Sequence, residues 1–549
     1  MALDIGRRRL QRAVAAARRE GRTPPHVIIV GGGLAGLGAA IQLTRSGLRT
    51  FTVIEQSDGV GGTWRDNSYP GSGCDVPSFL YSFSFASTAD WSRRFAPQRE
   101  ILAYAEELVG RFGLGPHLRL RSTVREVVLR ESDGRWLVSV SSPDGDDVLE
   151  ADTVIVACGQ LNRPYVPDLP GKDRFSGPSW HSARWDHGVD LRGKHVAVVG
   201  SGASAIQFVP PVAAEAASVT IYQRSPNYVG PKKDRSYGGL AGRLLRRFAP
   251  LALAYRWWIY WSLEFRWIWF RKDSWAGAHL RQLFDKQIRA EVVSERLPEA
   301  AVVPDYPIGC KRILISNDWY PAVMRPDVEV VGQPIDHIEA DGVVTTDGRH
   351  RPADVLIFGT GFSTTDFLGH IPVTGEEGGT LARAWEDGAR AYRGTAVPGF
   401  PNCYLLYGPN TNLGHNSILF MVERQLNLVL QAVALQTDAS VSSANPPVEV
   451  TPDAYRRDDE RTQRLMAATA WVANCHSWYK QASGRVTNNW PTWTVRYWLD
   501  TLRLRSDELG LPAPGRTAAR PGIEGPGRLP TTEGGDPTRL TAPPPSAAR

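Results

Sequence analysis

Two glycine patterns in one chain can each receive the pyrophosphate of a dinucleotide: Gly31-Gly32-Gly33-Leu34-Ala35-Gly36 and Gly200-Ser201-Gly202-Ala203-Ser204-Ala205. Each follows a short apolar run and opens a stretch with helical patterning. The first glycine of such a turn permits a sharp bend, the second lets the backbone approach the phosphates, and the third small residue lets helix pack on strand. The helix N-terminus then meets the anion, and Ser204 stands at that position in the second pattern. After the first turn, the apolar run 50–54 ends in Glu55. A carboxylate there accepts ribose hydroxyls and repels a 2′-phosphate, which points to FAD or NAD. After the second turn, the run 219–222 ends in Gln223-Arg224-Ser225. A guanidinium suits a phosphate dianion, so this site favours NADPH. Pro210-Pro211 predicts a kink or early break in the second helix.

Strand-like and helical runs alternate along the chain, which predicts an α/β protein with parallel sheets. The expected architecture is two Rossmann-like dinucleotide-binding domains, the second inserted in the first, with a helical subdomain. The run 152–157 before Cys158-Gly159 reads as the strand that leaves the first domain. The run 354–358 before Gly359-Thr360-Gly361-Phe362 reads as its return. Expected boundaries are a basic N-terminal extension over 1–24, the first domain over 25–162, and the second over 163–325 with a helical insert at about 237–300. The first domain resumes over 326–510, and a disordered tail dense in Pro, Gly, Ser and Thr follows over 511–549. The extension, rich in Ala and Arg, reads as a solvated helix, an organelle presequence being the less favoured alternative.

Composition excludes several classes. In 549 residues, 42% hydrophobic and 22% charged side chains are ordinary for globular domains. The net charge is +6, but no basic tract interleaved with aromatics lies outside the N-terminus, which argues against nucleic acid. Five scattered cysteines form no CxxC pair. That pattern indicates neither a disulfide framework nor a metal site, counts against a disulfide reductase, and fits a reducing cytoplasm. No apolar stretch reads as a clean membrane span. The segment 251–270 crowds Tyr255, Trp257, Trp258, Tyr260, Trp261 and further aromatics around Arg256, Glu264 and Arg266. Two readings stand: a helical subdomain packed on the sheet, or an amphipathic element in weak contact with a membrane surface or an apolar substrate.

Between the two glycine turns lies Phe175-x-Gly177-x-x-x-His181-x-x-x-Trp185-Asp186, and before it Gly61-Gly62-Thr63-Trp64, Tyr69-Pro70-Gly71 and Asp75. Both patterns resemble those of type I Baeyer-Villiger monooxygenases, over about residues 25–501. The loop Gly359-Thr360-Gly361-Phe362 has glycine where similar proteins commonly have alanine. The stretch 408–417 resembles one branch more than the best-known cyclic-ketone oxidisers.

The resemblance implies an FAD- and NADPH-dependent enzyme that inserts one oxygen from O₂ beside the carbonyl of a small apolar ketone, through a C4a-peroxyflavin, giving an ester or lactone. It implies that Arg312 stabilises the anions, that Asp75 fixes Arg312, and that Lys311 and Arg224 hold the 2′-phosphate. Thr63, Trp64 and Trp478 would reach the cofactors. His181 would take a conformational role at the interdomain linker, with Phe175 and Trp185 as packing residues. Rival readings are a monooxygenase of nitrogen or sulfur using the same flavin chemistry, and a flavin-binding protein without oxygenation.

Overall fold

The apolar run Val27–Val30, buried on both faces, is the central strand of a five-stranded sheet. Its neighbours are Thr153–Val156 on one side and Phe51–Ile54 on the other, with Cys403–Leu405 and Leu118–Arg119 at the edges, all parallel. Parallel strands covered on both faces need unbroken apolar sequence, which is what these runs supply. A computed structural model describes residues 4–510 except 366, 369, 440–444, 474, 476 and 482. The expected tail, 511–549, lies outside the described residues.

The second sheet repeats the first. His195–Val199 lies between Ser218–Tyr222 and Val355–Phe358, with Val328–Val331 and Ser179–His181 outermost, again all parallel. The run 354–358 therefore does not return the chain to the first sheet, and the second domain reaches about residue 361 instead of 325. The confusion has a physical cause. Each sheet needs a strand that leaves its first strand's flank through a glycine: Gly31 packs against the Ala157 carbonyl and Gly200 against the Gly359 carbonyl, where a Cβ would come within 2.8 and 2.5 Å. The two runs are equivalent, and local sequence does not say which sheet owns which.

The chain thus crosses between domains twice, and the crossings pair. Tyr165 N–H donates to Gly361 O at 2.9 Å, Ser363 N–H donates to Arg163 O at 3.0 Å, and the Thr360 hydroxyl donates to Tyr165 O. Beyond the second crossing, Val373–Thr374 joins the three-stranded antiparallel meander Thr123–Arg130, Arg135–Ser142, Gly145–Ala151.

Two further expectations are corrected. The helix Ala205–Glu215 runs unbroken through Pro210 and Pro211. Their missing N–H groups free the carbonyls of Ile206 and Gln207, and Gly71 lies so close to Gln207 O that a Cβ would sit 2.4 Å away. The basic helix Ile5–Arg19 is docked, not solvated: Gly6, Leu10, Ala13, Val14 and Ala17, at helical spacing, are buried. Gly6 N–H donates to Asn427 Oδ1 at 2.9 Å. Its partner helix, Ile418–Ala439, is long and apolar enough to cross a bilayer but is mostly buried in the core.

A helical insert lies between 240 and 291. Leu240–Arg247, Ala249–Glu264, the 3₁₀ turn Phe265–Phe270 and Trp275–Glu291 occupy the connection between the paired short strands Val229–Gly230 and Leu314–Ile315. Arg256 ties it to the first domain, donating to the carbonyls of Phe79 and Ser82.

Candidate active site

Gly31 adopts φ 108°, a conformation that glycine reaches without strain. Gly33 caps Leu34–Arg45, and a Cβ on Gly36 would lie 1.9 Å from Gly31 O. Glu55 is buried at the strand end, and its carboxylate accepts from the Gly32 amide at 2.6 Å and the Ser57 amide at 2.8 Å. The Gly-Gly-Thr-Trp loop lies over this turn: Gly61 N–H donates to Gly32 O at 3.0 Å, and Thr63 opens the short helix Thr63–Asp66. Trp64 donates to the Tyr81 hydroxyl at 3.1 Å and meets its ring edge-on.

In the second turn Gly200 has φ 102°, and the position of a Cβ on Gly202 is open space. Ser204 precedes Ala205 without a side-chain capping bond. Arg224 is exposed at its strand end. Lys311, from a loop about 90 residues later, donates to the neighbouring Ser225 hydroxyl and lies 4.2 Å from the Tyr306 ring centre. Burial, and then the charge of Arg224, lower the Lys311 pKa. Neither cation forms an ion pair among the described residues.

Arg312 and Asp75 form a bidentate pair: Nε donates to Oδ2 at 3.0 Å, and Nη2 to Oδ1 at 2.7 Å and Oδ2 at 2.6 Å. The Asp75 charge raises the Arg312 pKa against the opposing effect of burial, so the guanidinium is permanently charged. The side chains keep 32% and 28% exposure although the neighbouring Cys74 and Tyr479 are buried. The pair therefore faces a recess.

Cys310 precedes Lys311 and Arg312 and is disulfide-bonded to Cys475, which corrects the expectation of unpaired cysteines. A separation of 165 residues leaves no spacing signal. The bond joins the loop that presents both cations to the segment that carries Trp478. Trp478 packs on Tyr479 at 4.4 Å, and its carbonyl accepts from Thr364 Oγ1 at 2.9 Å, next to the second crossing.

The 175–186 pattern assembles at the domain joint. A Cβ on Gly177 would meet Asp354 O at 2.2 Å, which forces glycine there, and Phe175 packs beside it. His181 sits on an edge strand opposite Phe358, accepts from Ala183 N–H at 3.1 Å and meets Phe362 of the crossing at 5.6 Å. Burial pushes its pKa down to about 4, so the ring is neutral at pH 7. Trp185 stands between Tyr69 of the first domain and Phe208 of the second, 6.5 and 5.3 Å away. Asp186 only closes a turn, accepting from Gly188 N–H at 2.9 Å.

Sequence reasoning missed Gln207, Tyr407, Tyr479, and a buried group of Glu264, His415, Asn416 and Thr494. Gln207 receives the Tyr69 hydroxyl at 3.0 Å and donates to Gly73 O at 3.0 Å. Burial alone would raise the Glu264 carboxyl; attraction to His415 and hydrogen bonds, including those from Thr494 and Asn416, hold it below the usual range. Tyr407 has φ 58°, an unusual value for a bulky side chain that marked no sequence pattern. No metal site was expected; among the described residues Glu339, Asp341 and His350 form an exposed hairpin cluster close enough to hold a cation.

Residues 28–253 match the family model of pyridine nucleotide-disulphide oxidoreductases. More narrowly, the chain is 41% identical over 498 residues to a Baeyer-Villiger monooxygenase of Streptomyces coelicolor, covering 90% of this chain and 94% of that one. It matches an oxidized steroid monooxygenase bound to NADP with TM-score 0.75 and 30% identity, over 87% and 97% of the two chains. A complex of OTEMO with FAD and NADP matches with TM-score 0.78 and 25% identity over the same shares. The chain belongs to the Baeyer-Villiger monooxygenases.

Proposed function

We propose that this protein uses FAD, NADPH and O₂ to convert an apolar ketone to an ester or lactone, with water and NADP⁺ as the other products. The observation that carries the reading is the Arg312–Asp75 pair opening on a recess beside the unpaired cations Lys311 and Arg224. Both nucleotides fit what is present. Gly31, Gly33 and Glu55 would hold FAD, with Thr63 and Trp64 over the turn. Gly200, Gly202, Ser204 and Ala205 would hold the NADPH pyrophosphate, Lys311 and Arg224 its 2′-phosphate, and Trp478 would close over it. When bound, the two supply hydride and activated oxygen.

The chain's own residues supply the electrostatics. Arg312 places a fixed positive charge where negative charge grows on oxygen as a carbonyl is attacked. Asp75 orients the guanidinium through two prongs and prevents it from folding onto other acceptors. Tyr407 and Tyr479, with raised pKa values, stay protonated at working pH. A cytoplasmic location belongs to this reading, because NADPH consumption needs a compartment that regenerates it. The test is incubation of purified holoprotein with NADPH and a mixed ketone library under ¹⁸O₂. Products heavier by one labelled oxygen, cleaved by esterase, support the reading; labelled N-oxides or sulfoxides alone, or NADPH oxidation yielding only hydrogen peroxide, overturn it.

A further inference from the structure

Of sixteen exposed large apolar side chains among the described residues, eleven lie between 240 and 283. The helix Ala249–Glu264 and the following turn present them as a ridge: Leu251, Trp258, Trp261 and Phe265 recur at helical spacing, with Trp258 at 56% and Phe265 at 59% exposure. The opposite face carries Ile259, Tyr260, Leu263 and Glu264, all buried against the protein body. The ridge is thus the outer side of a firmly anchored helix, and its rings are held: Trp258 stacks on Tyr255 at 5.8 Å, and Trp261 packs on Phe265 at 6.2 Å. The buried face bears out the packed reading of the segment; the exposed face is left without a partner among the described residues.

Charge identifies what covers it. From Arg235 to Lys272 the sole acidic residue is Glu264, whose side chain has no exposed surface. Over the same stretch Arg235, Arg243, Arg246, Arg247, Arg271 and Lys272 are exposed. Arg243, Arg246 and Arg247 lie on Leu240–Arg247, the helix packed beside the ridge, which also exposes Leu240 and Leu244. An outer face that is aromatic and aliphatic, flanked by arginines and with no exposed acid between 235 and 272, would repel a second copy of itself. It matches a surface that is anionic at its rim and apolar beneath, the interface of a bilayer containing acidic phospholipids.

We propose that helices Leu240–Arg247 and Ala249–Glu264 dock this enzyme on anionic membranes, the aromatic ridge entering the headgroup boundary and the arginines pairing with lipid phosphates. The mode is peripheral: Arg256 and Glu264, committed to the protein body, keep the helix at the surface. The proposal is independent of which molecule is oxidised.

Flotation of the holoenzyme with phosphatidylcholine vesicles, with and without 30% phosphatidylglycerol, tests it. Binding is expected with the anionic vesicles, weakened by 0.5 M salt. Replacing Arg243, Arg246 and Arg247 together by Gln is expected to lower the partition coefficient about 100-fold, from about fivefold per cation near the surface. The combined Trp258→Ser, Trp261→Ser and Phe265→Ser variant is expected to lose binding at every salt concentration. Unchanged flavin content and NADPH oxidation in both variants confirm that they fold. No flotation of the wild type, equal flotation of wild type and variants, or a concentration-dependent dimer that the ridge substitutions dissolve without any effect of lipid would each overturn the proposal.

Discussion

Replacement of Arg312 by Ala removes a guanidinium that donates three hydrogen bonds to Asp75 and lies open to a recess. Two effects follow. The growing negative charge on oxygen loses a cation at contact range; for unit charges about 4 Å apart at an effective dielectric constant of 20, that interaction is about 4 kcal/mol. Asp75 already neutralises part of this field, so the net loss falls toward about 3 kcal/mol, or 10² to 10³ in the oxygenation rate, the size seen when one preorganised donor is removed. Asp75 also loses its partner, but its side chain is 28% exposed and water can reach it, so the fold should persist. The assay is ester formed per NADPH consumed, with hydrogen peroxide measured in parallel and FAD content as the control for folding. Arg312→Ala should keep its flavin, lose most ester formation and divert reducing equivalents to peroxide. Arg312→Lys should recover only part, since an ammonium cannot reproduce the bidentate fork. Efficient coupling in Arg312→Ala would refute the reasoning and move attention to Lys311.

Arg224→Ala should weaken NADPH about 10- to 100-fold, the range for a hydrogen bond to a charged group, and leave NADH nearly unchanged; the ratio of the two kcat/KM values checks it. His181, with its folded pKa depressed to about 4 from a usual 6.5, should contribute stability that is present above pH 6.5 and lost as pH falls toward 4, about 3 kcal/mol in all. The difference in denaturation midpoint between wild type and His181→Asn at pH 7 and pH 4.5 measures it. Gly6→Ala should lower Tm, because the new methyl would lie 2.3 Å from the Asn427 carbonyl, and overpacking costs about 1–3 kcal/mol. Alkylation in denaturant should modify three cysteines without reductant and five with it, as the Cys310–Cys475 bond requires.

The two nucleotide turns were legible because glycine at a positive φ and an acid or arginine at the following strand end are local requirements, visible within about 25 residues. Ownership of the strand 355–358 was not, because strands that perform the same task in two copies of one fold share one local pattern. Arg312 and Asp75, 237 positions apart, came from family resemblance; nothing in their neighbourhoods announces the pair. Cys310 and Cys475 escaped for the same reason of distance. The docking of the N-terminal helix escaped because its arginines dominate its composition while its buried stripe is mostly alanine and glycine. Gln207 matters only through a loop that folds back on it.

The paired crossings near Tyr165 and Gly361 carry a mechanical consequence. A domain tethered by a single strand can swivel like a ball in a socket, but two strands hydrogen-bonded side by side leave one easy axis, as the knuckles of a door hinge do. His181 packs against Phe362 beside this joint, and Gln207 and Trp185 meet Tyr69 across it. Any movement of the second sheet against the first would have to bend both crossings together, because they are hydrogen-bonded to each other.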